Sequence, residues 1–157
     1  MKLASGIAPI VDLVNQSINI AIGTDGAASN NRLDMFEEMR LTALLGKVTR
    51  GAQALPTHQI LQMATLNGAI ALGIEKQTGS LTVGKAADIT AIDFSDLSLT
   101  PCFNPLSHLI YVASREHVSH VWVNGRLLLN KGELVTLNEA EIIERTQYWQ
   151  NRITSKQ

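Results

Sequence analysis

The stretch INIAIGTDGAASNNRLDMFEEMR, residues 18–40, decides how the rest of the chain is read. Ile18 to Ile22 is an apolar, isoleucine-rich run of the kind that forms a strand buried on both faces. It stops at Gly23, a lone carboxylate follows in Thr24-Asp25-Gly26, and a polar loop leads into a helical pattern. From Leu33 to about Val48 the apolar set Met35, Phe36, Met39, Leu44 and Leu45 predicts a long helix, with Asp34, Glu37 and Glu38 in its first turns suiting the helix dipole. Strand, loop and helix make an α/β unit, and a carboxylate just past the C-terminal end of a buried strand lies where such proteins gather their chemistry. GTDG is also an ordinary turn, in which Asp25 bonds neighbouring backbone N–H groups. The residues alone leave both readings open.

Working outward, Ile7, Ile10, Val11 and Val14 predict a short helix over residues 8–16, with Pro9 in its first turn. Pro56-Thr57-His58 opens another, with Thr57 as its expected N-cap and Gly73 as its end. The character then changes. Residues 79–136 alternate β-rich runs with Gly, Asn and Pro, including HLIYVA at residues 108–113, and Asn124-Gly125 is a strong hairpin signal. Lys131-Gly132 reads as a second turn. Asn138 onward, with Ile142, Ile143, Thr146 and Trp149, predicts a closing amphipathic helix. The chain therefore divides into residues 1–76 of βα type, residues 77–137 of mostly β type, and a C-terminal helix over residues 138–157.

Bulk properties narrow the function classes. The 157 residues suffice for a real core, but a whole (β/α)8 barrel needs roughly 250. Thirteen Lys and Arg against 14 Asp and Glu give a net charge of -1 with scattered basic residues, which argues against nucleic acid and anionic membranes as partners. A single cysteine excludes an intrachain disulfide framework and suits a reducing cytoplasm. No run of about 18 apolar residues exists to span a bilayer. The start, MKLASGIAPIVDLV, does not resemble a secretion signal, although helical pattern begins at once. The expectation is a cytoplasmic protein.

The remaining chemical signals are weak one by one. Ser29, Asn30 and Asn31 offer donors and acceptors on the Asp25 loop, as substrate contacts or as caps. The four histidines, His58, His108, His117 and His120, form no H-x-H; His117 and His120 would point to opposite faces of a strand. Structural or surface roles are expected for all four. Cys102 has no base beside it and reads as an inert thiol. In GSLTVGKAADITAIDF, residues 79–94, Gly79 and Gly84 frame a turn, Lys85 is expected to be exposed, and Asp88 precedes a strand over Ile89–Ile92; the favoured reading is a structural hairpin.

Taken in order, GTDGAASNNRLDMFEEMR, MATLNGAIALG, GSLTVGKAADITAID and NPLSHLIYVASREHVSHVWVNGRLLL resemble the C-terminal third or more of a metal-dependent amidohydrolase. Within that superfamily the methylthioadenosine/S-adenosylhomocysteine deaminases and their chlorohydrolase-like relatives are the most similar. The resemblance implies an α/β fold: the end of a (β/α)8 metal-dependent hydrolase barrel followed by a small β-sandwich, incomplete as a single chain. It implies that Ile18–Ile22 is the last barrel strand, and that GKAAD is scaffold in a sandwich which also takes strands from the N-terminus of such enzymes. It further implies that Asp25 is the aspartate that approaches the metal and takes a proton from the attacking water, as metal ligand, general base or both. The metal would be zinc or another divalent ion, which lowers the pKa of bound water toward about 7. Ser29 and Asn30 would contribute to substrate binding.

The histidine ligands and the proton-shuttling acid of the family precede the matched region, and none of the four histidines here falls at a matching position. Zinc takes three or four protein ligands, so tight zinc binding by this chain alone is not expected. Three readings follow. The chain is the C-terminal part of a deaminase-type amidohydrolase, inactive alone, whose open apolar edge is covered by self-association; or one half of a split enzyme whose partner supplies the missing N-terminal barrel portion; or a non-enzymatic dimerising or binding module derived from that fold. In the complete enzyme the substrate is a small molecule, a purine or related heterocycle.

Overall fold

The computed structural model describes residues 3–155. Its helical part is built from α1 (Ile10–Asn15), α2 (Met35–Arg50), α3 (Thr57–Ala64), α4 (Leu66–Leu72) and α5 (Pro105–Tyr111). A four-stranded antiparallel sheet follows the order β1 (Ile89–Ile92), β2 (Val118–Val123), β3 (Arg126–Asn130) and β4 (Glu133–Leu134), and α6 (Glu139–Thr154) closes the chain.

The core lies where α2, α3 and α5 meet. Met39, Ala43, Leu55, Ile60, Met63 and Ile110 are all buried there, and Ile20, Ile22, Phe36 and Val14 pack against them. Helix α2 forms because its apolar residues recur on one face and its end is capped: Asp34 Oδ1 accepts from the N–H of Phe36 at 2.9 Å and of Glu37 at 3.4 Å. Gly46 brings α2 close to the loop that follows it, since a Cβ there would lie 2.5 Å from Leu55 Cδ1. Arg50 ties α2 to α1 by a two-pronged ion pair with Asp12, at 2.9 and 2.5 Å.

Residues 18–22 depart from expectation. Among the described residues they join no sheet. Ile20 and Ile22 are half-buried against the core, whereas Ile18 and Ala21 are exposed, so one face is covered rather than both. The segment is held by Ile22 N–H to the Met63 carbonyl at 3.0 Å and by the Asn67 amide to the Ile20 carbonyl at 2.9 Å. A strand is defined by a laddered neighbour, and this segment has none among the described residues.

Other differences have local causes. The expected long helix after Pro56 breaks at Thr65, whose backbone leaves the helical region (φ -132°, ψ -93°), into α3 and α4; Gly73 ends α4 in the left-handed conformation as expected. Pro56, not Thr57, takes the N-cap position of α3, and no side chain caps it. HLIYVA is mostly helical rather than β: Pro105 opens α5 and Asn104 Oδ1 accepts from Ser107 N–H at 2.9 Å, which outweighs the β propensity of the run.

The sheet itself is a meander in its last three strands. Asn124 and Gly125 both have positive φ (50° and 74°) and join β2 to β3 as a two-residue turn, with Val123 opposite Arg126. Lys131 and Gly132 repeat the device before β4. Residues 79–88 make no hairpin; they form turns pinned to the sheet by Asp88, which accepts from Asn124 N–H and Thr78 Oγ1, each at 2.7 Å. Those bonds, the backbone one foremost, hold the Asp88 carboxyl below the usual carboxylate range. Lys85 is half-buried rather than exposed, its Nζ donating to Ser80 Oγ at 2.7 Å and the Thr78 carbonyl at 3.2 Å. The described strands form one sheet rather than two facing sheets.

Candidate functional site

Between α1, the loop of residues 23–31 and one face of α2 lies an open cleft of about 630 Å³, within the size range of small-molecule sites. Leu41 and Leu45 of α2 give it apolar lining, Asp25, Ser29 and Asn30 give it polar lining, and the Asp12–Arg50 pair lines it as well. The three residues singled out in the sequence therefore come together.

Asp25 has a left-handed backbone (φ 60°), which a short carboxylate side chain tolerates because it can bond its own loop. Its Oδ1 accepts from Gly26 N–H and its Oδ2 from Ser29 Oγ, each at 2.6 Å. The Ser29 hydroxyl first and the Gly26 N–H second hold its carboxyl below the ordinary range. Asp25 thus organises its own loop, as the turn reading has it, and also lines the cleft. Gly23 and Gly26 have open space where a Cβ would sit.

Asn30 is held on both ends. Its amide donates to Glu38 Oε1 on α2 at 2.6 Å, and its Oδ1 accepts from the N–H groups of Arg32 at 3.1 Å and Leu33 at 3.3 Å. This clamps the loop to α2 and sets the distance between Asp25 and the helix. The serine bond to Asp25 and the role of Glu38 were not read from the sequence.

A second polar cluster imitates a catalytic triad without its polarity. Ser98 Oγ donates to Asp96 Oδ1 at 2.6 Å and lies 3.1 Å from His117 Nε2. The backbone N–H of Ser114 donates to His117 Nδ1 at 3.0 Å, so in the neutral ring the proton sits on Nε2. That nitrogen donates to Ser98 and cannot take its proton, so the cluster fixes the loop before β2 and activates nothing. His117 sits in a 3-10 turn, Arg115–His117, and not in a strand, so the opposite-face argument for His117 and His120 does not apply. His120 stacks on Trp122 of the same strand face at 5.4 Å, and Cys102 is a free, exposed thiol.

Among the described residues no three His, Cys, Asp or Glu side chains converge where a metal ion could be held. Asp25 is a single donor with both oxygens already engaged, so the donor set of this chain does not fit a zinc site by itself. No helix among the described residues is long and apolar enough to cross a membrane.

The helices with a small antiparallel sheet make an α/β fold, and the amidohydrolase family model matches residues 1–128: the chain belongs to the amidohydrolase family. It is 48% identical over 157 residues to a 5-methylthioadenosine/S-adenosylhomocysteine deaminase of Teredinibacter turnerae, covering 99% of this chain and 36% of that protein. It is 49% identical over 148 residues to a 5'-deoxyadenosine deaminase of Methanosarcina barkeri, covering 94% of this chain and 34% of the relative. A crystal structure of an adenosine deaminase from Xanthomonas campestris with bound zinc superposes with a TM-score of 0.95 at 45% identity, over 98% of this chain and 35% of that one. The chain thus spans about a third of the length of the relatives it matches, and it covers their C-terminal part.

Proposed function

We propose that this chain is the C-terminal part of an amidohydrolase that deaminates an adenosine-type substrate, silent by itself and active when the preceding portion of the fold is supplied. The observation that carries the reading is Asp25 on the cleft wall, held ionised by Ser29 and Gly26 in a sequence 45–49% identical to three deaminases. In the reaction a water oxygen bonds to the ring carbon bearing the amine, one of the water's protons ends on the adjacent ring nitrogen and the other on the amine nitrogen, and the C–N bond breaks so that ammonia leaves. Asp25 is the residue of this reading that accepts the water's proton and passes it on to the leaving amine, because it is the ionised carboxylate on the loop wall of the cleft. Ser29 and Asn30 are the substrate-side residues of this reading: the serine keeps acceptor capacity, and the asparagine amide keeps one hydrogen beyond that given to Glu38. A divalent metal would supply water activation in a complete enzyme; of this chain's residues Asp25 is the one that would help to hold it, beside donors from the complementing portion.

The test is complementation. The region that precedes the match in the Teredinibacter relative is produced as a separate polypeptide, mixed with this chain and zinc, and assayed for ammonia release from methylthioadenosine and 5'-deoxyadenosine. Activity is expected in the complex and in neither part alone, with Asp25→Asn lowering it by about 10²-fold or more while the complex persists. A stable complex that releases no ammonia, or one indifferent to Asp25→Asn, overturns the proposal. The second reading, a non-enzymatic dimerising or binding module, is favoured by one observation, the uncovered apolar face of α6.

A further inference from the structure

We propose that Glu38 is a positioning residue: through Asn30 it fixes the loop that carries Asp25 at one place against α2. Glu38 itself is held still by its helix. Its N–H donates to the Asp34 carbonyl at 3.1 Å, its carbonyl accepts from Thr42 Oγ1 at 2.8 Å, and the next residue, Met39, is buried in the core. Glu38 is half-buried, lines the cleft and accepts from the Asn30 amide at 2.6 Å, a short bond of the charge-assisted kind. Asp25 through Ala28 are exposed, whereas Ser29 and Asn30 are half-buried, so the loop grips the helix by this end.

From Asn30 the hold passes to Asp25 in two steps. Asn30 N–H donates to the Gly26 carbonyl at 2.9 Å, and Gly26 N–H donates to Asp25 Oδ1 at 2.6 Å. Ser29, beside Asn30, donates to Asp25 Oδ2 at 2.6 Å. These bonds shape the loop without placing it, and the Asn30 side chain carries its bond to α2. That amide is fixed in sense as well as place. Its Oδ1 accepts from the N–H groups of Arg32 and Leu33, which leaves the NH2 end to meet Glu38. Position 38 must therefore supply an acceptor, and an amide oxygen supplies one as a carboxylate does. The catalytic part of this inference rests on the deaminase reading above: there the clamp sets how far Asp25 stands from the water it deprotonates, and a misplacement of about 1 Å costs about 10²-fold in rate.

Backbone nitrogen-15 relaxation of the whole chain reads the clamp without catalysis. Residues 25–30 are expected to be as ordered as α2 in the wild type, with order parameters of about 0.85, and to fall below about 0.6 in Glu38→Ala, with helical content unchanged by circular dichroism. Glu38→Gln is expected to keep the order. Asn30→Asp alone is expected to lose it, because two carboxylates then face each other, and Asn30→Asp with Glu38→Gln to regain it, because the glutamine amide donates to the new carboxylate. Independent roles at the two positions would give additive effects instead. In the complemented enzyme Glu38→Ala is expected to lower kcat at least about tenfold and to raise KM less than about threefold, with Glu38→Gln restoring most of the loss. A loop as ordered in Glu38→Ala as in the wild type overturns the proposal. So do equal loosening in Glu38→Gln, additivity in the double variant, or a loosened loop with kcat unchanged. A loop loosened in Glu38→Ala and restored in Glu38→Gln, in a chain whose complex releases no ammonia, upholds the clamp and sinks the deaminase reading alone, so the two fail separately.

Discussion

At the residue level the loop of Asp25 makes structure and chemistry depend on the same two bonds. Gly26 N–H and Ser29 Oγ stabilise the ionised carboxylate and at the same time close the turn in which Asp25 sits at φ 60°. Protonation must weaken both bonds, so the loop's order is linked to pH. A folded pKa below the unfolded value of about 3.9 means that this stabilisation is present above that value and is lost as pH falls through the lower folded one. Carboxyl chemical shifts followed by NMR are expected to titrate below the free aspartate midpoint in the wild type. In Ser29→Ala the largest cause of the shift is gone, and the midpoint is expected to move up toward the free value; an unmoved midpoint would show that Ser29 does not hold the carboxylate. Asp25 was legible as a turn and as a candidate site from one short string, GTDG. The serine's grip on it was not, because an i, i+4 bond inside an irregular loop leaves no periodic signature.

Elements divide by how local their causes are. Helices α2 and α6 were legible because apolar spacing and acidic residues near the start agree within one window; that Asp34 and Asn138 cap them is seen in the structure. The segment HLIYVA was misread for the opposite reason: its β propensity is local to the run, while the Asn104-Pro105 start signal lies just before it. Ile18–Ile22 failed differently, since a strand depends on a neighbour that no property of five residues can reveal. Caps therefore carry weight out of proportion to their size. Asp34 is only 4% exposed, and its carboxylate serves two N–H groups of α2 while Arg32 approaches it at 3.5 Å. Asp34→Ala is expected to cost about 1–2 kcal/mol in denaturant melts, and Asp34→Asn, which keeps the acceptor, distinctly less. Equal losses in the two variants would mean that the ion pair with Arg32, not the cap, is what matters.

Across the whole molecule buried packing is confined to one part of the fold. The residues that exclude water are gathered around α2, α3 and α5, with Ile60 and Ile110 at 0% exposure, whereas α6 contributes no buried side chain. Contacts around Ile110 join residues far apart in sequence, since α5 packs against both α2 and α3 across the intervening turns and β1. Truncation there opens a cavity that the surrounding helices cannot close without moving together. Ile110→Ala is accordingly expected to lower unfolding free energy by about 2–5 kcal/mol. Ile142→Ala, on the exposed face of α6, is expected to change it by no more than about 0.5 kcal/mol at concentrations where the chain is monomeric. Urea melts of the two variants decide the matter. A large loss in Ile142→Ala would place α6 within the folding core.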